Sequence, residues 1–182
     1  VCTALFTARE NGHGAGVEGL LAVGADKEAK AQQGATAVHT ASQNGHWAVV
    51  EALLAVGADK EAAMQGGSTA LHFASQNGHL AVVQALLAVG ADKEPKTQGG
   101  STALFMASHN GHLAVVEALL AVGADKEAKA QQGATALHTA SQNGHLAVVE
   151  ALLAVGADKE AAMQGGSTAL HFASQNGHLA VV

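Results

Sequence analysis

Hydrophobic and polar positions along the chain fall into two alternating short patterns. One opens on a threonine, as at Thr36, and runs Ala-Val-His-Thr-Ala-Ser-Gln through Gln43. Thr36 is a suitable N-cap, because its hydroxyl can accept from an orphan N–H of the first turn, so a short helix is predicted through about Gln43. Asn44-Gly45 then supplies the left-handed residue that ends a helix. The second pattern, from about Trp47 to Val56, sets Val49, Val50, Leu53 and Leu54 at helical spacing before Gly57 stops it. From Asp59 to Gly67 the chain is polar and contains glycine, which suits a turn or hairpin. Isolated helices under ~12–15 residues are marginal in water. Each helix pair must therefore bury its apolar side against another pair.

The pairs recur. Thr3, Thr36, Thr69, Thr102, Thr135 and Thr168 stand 33 residues apart, and each opens a similar hexapeptide, from TALFTA to TALHFA. Each is followed by Asn-Gly-His, at Asn11, Asn44, Asn77, Asn110, Asn143 and Asn176. Five of the six run on to Leu-Leu-Ala-Val-Gly-Ala-Asp, ending at Asp26, Asp59, Asp92, Asp125 and Asp158. A fixed period of this length predicts stacked helical hairpins, each repeat covering the next. A longer period lies over the first: residues 34–66 and 133–165 differ only at Val38/Leu137 and Trp47/Leu146, and 67–83 is identical to 166–182. Tandem duplication of a three-repeat block is the expected origin, with a designed origin or a partly inferred sequence as the alternatives.

The chain resembles the ankyrin-repeat family, whose unit has a T-P-L-H-x-A opening, a G-H turn and a G-A-D near its end. In one repeat the matching residues are Thr69, Leu71, His72, Ala74, Gly78, His79, Gly90, Ala91 and Asp92. The resemblance implies an all-α solenoid of helix-turn-helix units with hairpin-like loops and a concave binding side. It also implies a single array over 1–182, with units at about 1–33, 34–66, 67–99, 100–132 and 133–165 and a partial one at 166–182. The chain opens without methionine and stops within the pattern, so an excerpt of a longer protein is expected. Departures from the family are informative. Alanine (Ala4, Ala37, Ala70, Ala103, Ala136, Ala169) stands where the family has proline, and Phe6 and Phe105 take the place of histidine. Gly14, Gly16 and Gly19 fall in one second helix, each costing about 1 kcal/mol against alanine, so that end is expected to fray.

Composition narrows function. Nine basic and 15 acidic residues give a formal charge of −6, with no basic stripe to neutralise phosphates, so nucleic acid is not an expected partner. No apolar run reaches the ~20 residues of a membrane span. A single cysteine, Cys2, excludes a disulfide framework and fits a reducing, intracellular setting, here read as cytoplasmic.

Eleven histidines invite a metal reading. Neighbouring packed helices lie ~8–10 Å apart, too far for equivalent histidines to share an ion with ~2 Å bonds. Their register points instead to hydrogen bonding in caps and turns. Ser42, His46 and Asp59 could be read as a triad, but the constellation recurs in every unit, whereas catalysis needs one tuned pocket. Gln65-Gly66-Gly67-Ser68 lacks the lysine of a phosphate loop. No enzyme, cofactor or metal is expected.

The expected function is a non-catalytic scaffold or adaptor that binds another protein. Alternatives are an architectural subunit of a larger assembly and a substrate-recruiting appendage of an enzyme. By the resemblance, contacts come from loop tips and the exposed side of the first helix: Lys30, Gln32, Gln33 and Gln43, then Met64, Gln65, Ser68, Phe73 and Gln76. Further along they are Lys96, Gln98, Met106 and His109, then Gln131, Gln142 and Phe172. Phe73, Met106 and Phe172 are candidate apolar anchors, since aromatic residues and methionine favour interface centres. The alternative is that they pack on the neighbouring first helix. Trp47 is expected to fill core. Ala48, Ala55, Ala81, Ala88, Ala114 and Ala121 make the other side of the second helices unusually apolar, as if covered in an assembly.

Overall fold

A computed structural model describes residues 14–182, and the described residues form ten α-helices and no strand. The chain divides into two compact bodies, residues 1–92 and 93–182. Cys2, Phe6 and His13 lie outside the described residues. In the N-terminal body α1 (Gly14–Ala22) is followed by α2 (Ala37–Gln43), α3 (Trp47–Ala55), α4 (Ala70–Gln76) and α5 (Leu80–Ala88). The first helices, α2 and α4, pack on each other. The second helices α1, α3 and α5 form another row, joined to the first by α2 on α3 and α4 on α5. The C-terminal body repeats this with first helices α6 (Ala103–Asn110), α8 (Ala136–Gln142) and α10 (Ala169–Gln175), and second helices α7 (Leu113–Ala121) and α9 (Leu146–Ala154).

The rows form because each repeat buries the same positions. Val49, Val50 and Leu53 of α3 and Val82, Val83 and Leu86 of α5 are fully buried, and Val115, Val116 and Leu119 of α7 match them. Residue 47 precedes this inward set and falls outside it. Trp47 is 46% exposed, and Leu146 at the same position of α9 is 36% exposed, so the tryptophan is a surface residue and not core filling. Despite its glycines, α1 is helical, with Val17 fully buried.

Each first helix is started by its threonine. At Thr36, Thr69, Thr135 and Thr168 a full capping box forms with the histidine three residues on. The Thr36 N–H donates to His39 Nδ1 at 3.2 Å and the Thr36 hydroxyl lies 2.8 Å from the same nitrogen. The ring thus does what Glu or Gln does in the usual box: it satisfies the N–H of the N-cap. Where Phe105 replaces histidine, only the threonine half survives, with the Phe105 N–H donating to Thr102 Oγ1 at 3.3 Å.

Successive repeats are tied by three ladders. The Asn-Gly-His histidines reach back 36 residues: Nε2 of His79 donates to the Gln43 carbonyl, His145 to His109 and His178 to Gln142, each at 3.0 Å. Carboxylates reach forward. Glu28 accepts from the Asp59 N–H and Glu61 from that of Asp92 at 2.9 Å, and Glu127 accepts from Asp158 at 2.8 Å. The hairpin loops close through bonds such as Met64 N–H to the Ser68 carbonyl at 2.9 Å. Their tips join through Gln65 N–H to Gln33 and Gln164 N–H to Gln132, both at 2.8 Å. Each such bond contributes about 1 kcal/mol net.

Candidate partner-binding surface

The face that could meet a partner is built from the first helices and the hairpin tips. In the N-terminal body Lys30, Gln32, Gln33, Gln43, Gln65 and Gln76 are exposed, while Met64, Ser68 and Phe73 are half-buried. In the C-terminal body Lys96, Gln98, His109, Gln131 and Gln142 are exposed, and Met106 and Phe172 are half-buried. The repeat places each set on one side of its body, because residues 33 apart occupy equivalent sites.

The aromatic residues have a packing role. Phe73 meets the His39 ring edge-on, with centroids 6.0 Å apart, and Phe172 meets His138 in the same way at 6.2 Å. Each phenylalanine covers the capping histidine of the preceding repeat and leaves only part of its ring to solvent. His109 sits in a local network: its Nδ1 lies 2.8 Å from Thr139 Oγ1 and 3.1 Å from Asn143 Nδ2. An amide nitrogen only donates, so this Nδ1 accepts from Asn143. Asn143 also donates to the His109 and Thr139 carbonyls, which joins the ends of α6 and α8.

Several groups are therefore spoken for by the fold. Lys96 Nζ donates to the Lys129 carbonyl at 3.1 Å. The tip backbone N–H groups of Gln65 and Gln131 are used between hairpins. Toward solvent each body presents amide and other polar side chains, with half-exposed Met64 and Phe73 in the N-terminal body and Met106 and Phe172 in the C-terminal body. Among the described residues, no group of three or more His, Cys, Asp or Glu could hold a metal ion. No described helix is long and apolar enough to cross a membrane.

The opposite side differs in character. Ala48, Ala55, Ala81, Ala88, Ala114 and Ala121 are exposed there. Val56, Val89, Val122 and Val155 keep 46–48% of their surface in solvent. The sequence reading anticipated this apolar side but missed the histidine and carboxylate ladders. Their signal was the strict return of Asp-Lys-Glu (Asp26, Asp59, Asp92, Asp125, Asp158) and of Asn-Gly-His in every repeat.

Comparison with curated proteins returns no match. A family model for ankyrin repeats, in three copies, matches residues 4–97, 63–130 and 104–182. Those spans contain the threonine-histidine caps, the Asn-Gly-His turns and the Gly-Ala-Asp loops that build both bodies. With these elements and the family model in agreement along nearly its whole length, the chain belongs to the ankyrin-repeat family.

Proposed function

We propose that this chain is a non-catalytic scaffold or adaptor that binds a partner protein through its first-helix face and hairpin tips. Ankyrin repeats are in general protein–protein interaction modules. One observation carries the finer reading: where the repeats differ from one another, most differences fall on that face. The fourth residue of the first helix is Thr40, Phe73, Met106, Thr139 and Phe172 in turn, and the hairpin position is Ala31, Met64, Thr97, Ala130 and Met163. From α3 onward the second helices scarcely change, reading Leu-Ala-Val-Val-Glu-Ala-Leu-Leu-Ala in both α7 and α9. A constant frame carrying a varied surface is what a recognition module requires, since fold and ligand are separable.

The exposed valines and alanines of the second helices favour a second reading, an architectural subunit held in an assembly by that side. The two separate by experiment. One variant carries Lys30→Glu, Gln65→Glu, Lys96→Glu and Gln142→Glu, and the other carries Ala48→Glu and Ala114→Glu on the opposite side. Both, with the parent chain, serve as bait in quantitative pull-downs from the source cells. Loss of a stoichiometric partner only in the first supports the proposal, and loss only in the second overturns it in favour of the architectural role.

A further inference from the structure

The repeated histidine caps put a constraint on protonation that recognition does not use. His138 is 2% exposed, and its Nδ1 faces two groups of Thr135: the N–H at 3.3 Å and the hydroxyl at 2.8 Å. A backbone N–H can only donate. Nδ1 must therefore be an unprotonated acceptor while the cap is closed, and the ring's proton resides on Nε2. A second proton has nowhere to go, because it would set N–H against N–H at the start of α8. The ring is roofed by Phe172, so a charged imidazolium would also lack water.

We propose that the α8 cap is an acid-release latch, in which protonation of His138 opens the Thr135 capping box and frees the first turn of α8. The surroundings agree with it. Burial pushes the His138 pKa below the ordinary histidine value, and Lys129 acts in the same sense. The Ala161 and Ser167 backbone groups and Glu127 oppose but do not outweigh it. The other titratable side chains on helices packed against α8 are His109 on α6, Glu150 on α9 and His171 on α10. His171 closes the same box with Thr168 at an exposed site.

The sign follows from linkage. The folded-state pKa lies below the unfolded value of about 6.5, so the unfolded state binds more protons between them. The stabilisation is full above pH ~6.5 and is lost as pH falls through the folded pKa. In that window the unfolding constant rises up to about tenfold per pH unit for this one proton. The latch also lies beneath the proposed contact row, because Thr139 on α8 and Asn143 at its C-cap brace His109. It stands or falls independently of which face binds the partner.

The test uses the full chain. Ring ¹⁵N shifts of His138 at pH 7.5 are expected to show an unprotonated Nδ1 and a protonated Nε2. Below pH 6.5, amide protection factors at the start of α8 are expected to fall before those of α9. In His138→Gln, which keeps an acceptor that cannot titrate, the pH slope of urea stability is expected to drop by up to one proton. A protonated Nδ1 at pH 7.5, or a variant with the parent's slope, would overturn the proposal. If the variant does not fold, the ring and amide measurements on the parent still decide.

Discussion

Replacing Gly45 by alanine tests the histidine ladder most directly. Gly45 has φ +74°, and a Cβ placed there would lie 2.6 Å from His79 Nδ1, 2.7 Å from Cε1 and 2.9 Å from Cγ. Comfortable contacts are ~3.5–4.0 Å, so the imidazole must retreat by roughly 1 Å. It now sits with Nε2 3.0 Å from the Gln43 carbonyl, and a retreat of that size lengthens the bond beyond useful range. Two costs then add. A left-handed conformation costs a non-glycine residue about 1–2 kcal/mol, and the lost inter-repeat bond costs about 1 kcal/mol. Gly45→Ala should therefore destabilise the N-terminal body by about 2–3 kcal/mol.

The same body holds its own control. Gly90 has φ +75°, yet a Cβ there meets nothing within 4 Å, so Gly90→Ala should show the conformational cost alone. Urea unfolding of both variants, in the parent and in a His79→Ala background, completes a double-mutant cycle. The excess of Gly45→Ala over Gly90→Ala should vanish once the ring is gone. Equal costs for the two substitutions in the parent would refute the argument that the histidine ring sets the glycine's identity.

Two further substitutions should stabilise the chain. The Ser75 hydroxyl is completely buried and has no hydrogen-bond partner, as also at Ser42 and Ser108. Ser75→Ala should gain about 1 kcal/mol by removing that desolvation cost, read as a rise in urea midpoint, and a loss of stability would mean the hydroxyl is bonded. Gln33 holds a left-handed φ of 59° at a position where the next repeat has Gly66. Gln33→Gly should raise the thermal midpoint by the equivalent of up to ~1 kcal/mol, and an unchanged midpoint would show that the loop bears no strain there.

The caps and turns were legible in sequence because they are local. Thr36, His39, Asn44 and Gly45 lie within ten positions of one another, so one cap and one stop could be read directly. The fate of Trp47 was not legible. Its hydrophobicity argued for burial, but the phase of α3 is set by Val49, Val50 and Leu53, and that phase leaves position 47 outside. Phe73 and Phe172 stood between anchor and packing residue for a related reason. A side chain four residues into a first helix points along the stack, and whether it meets a ligand or His39 depends on a neighbour 34 residues away.

The sequence by itself determined the repeat, its two helices, its hairpin and the membership that follows, because period and capping are properties of neighbours along the chain. Tertiary structure alone decided how one repeat grips the next. His79 finds the Gln43 carbonyl and Glu61 finds the Asp92 N–H across 36 and 31 residues, distances over which the sequence shows recurrence but no partner. These bonds depend on the offset between stacked hairpins. That offset is set by how the buried side chains of adjacent first and second helices interlock, and side-chain shape in three dimensions fixes it, beyond the reach of hydrophobic pattern alone.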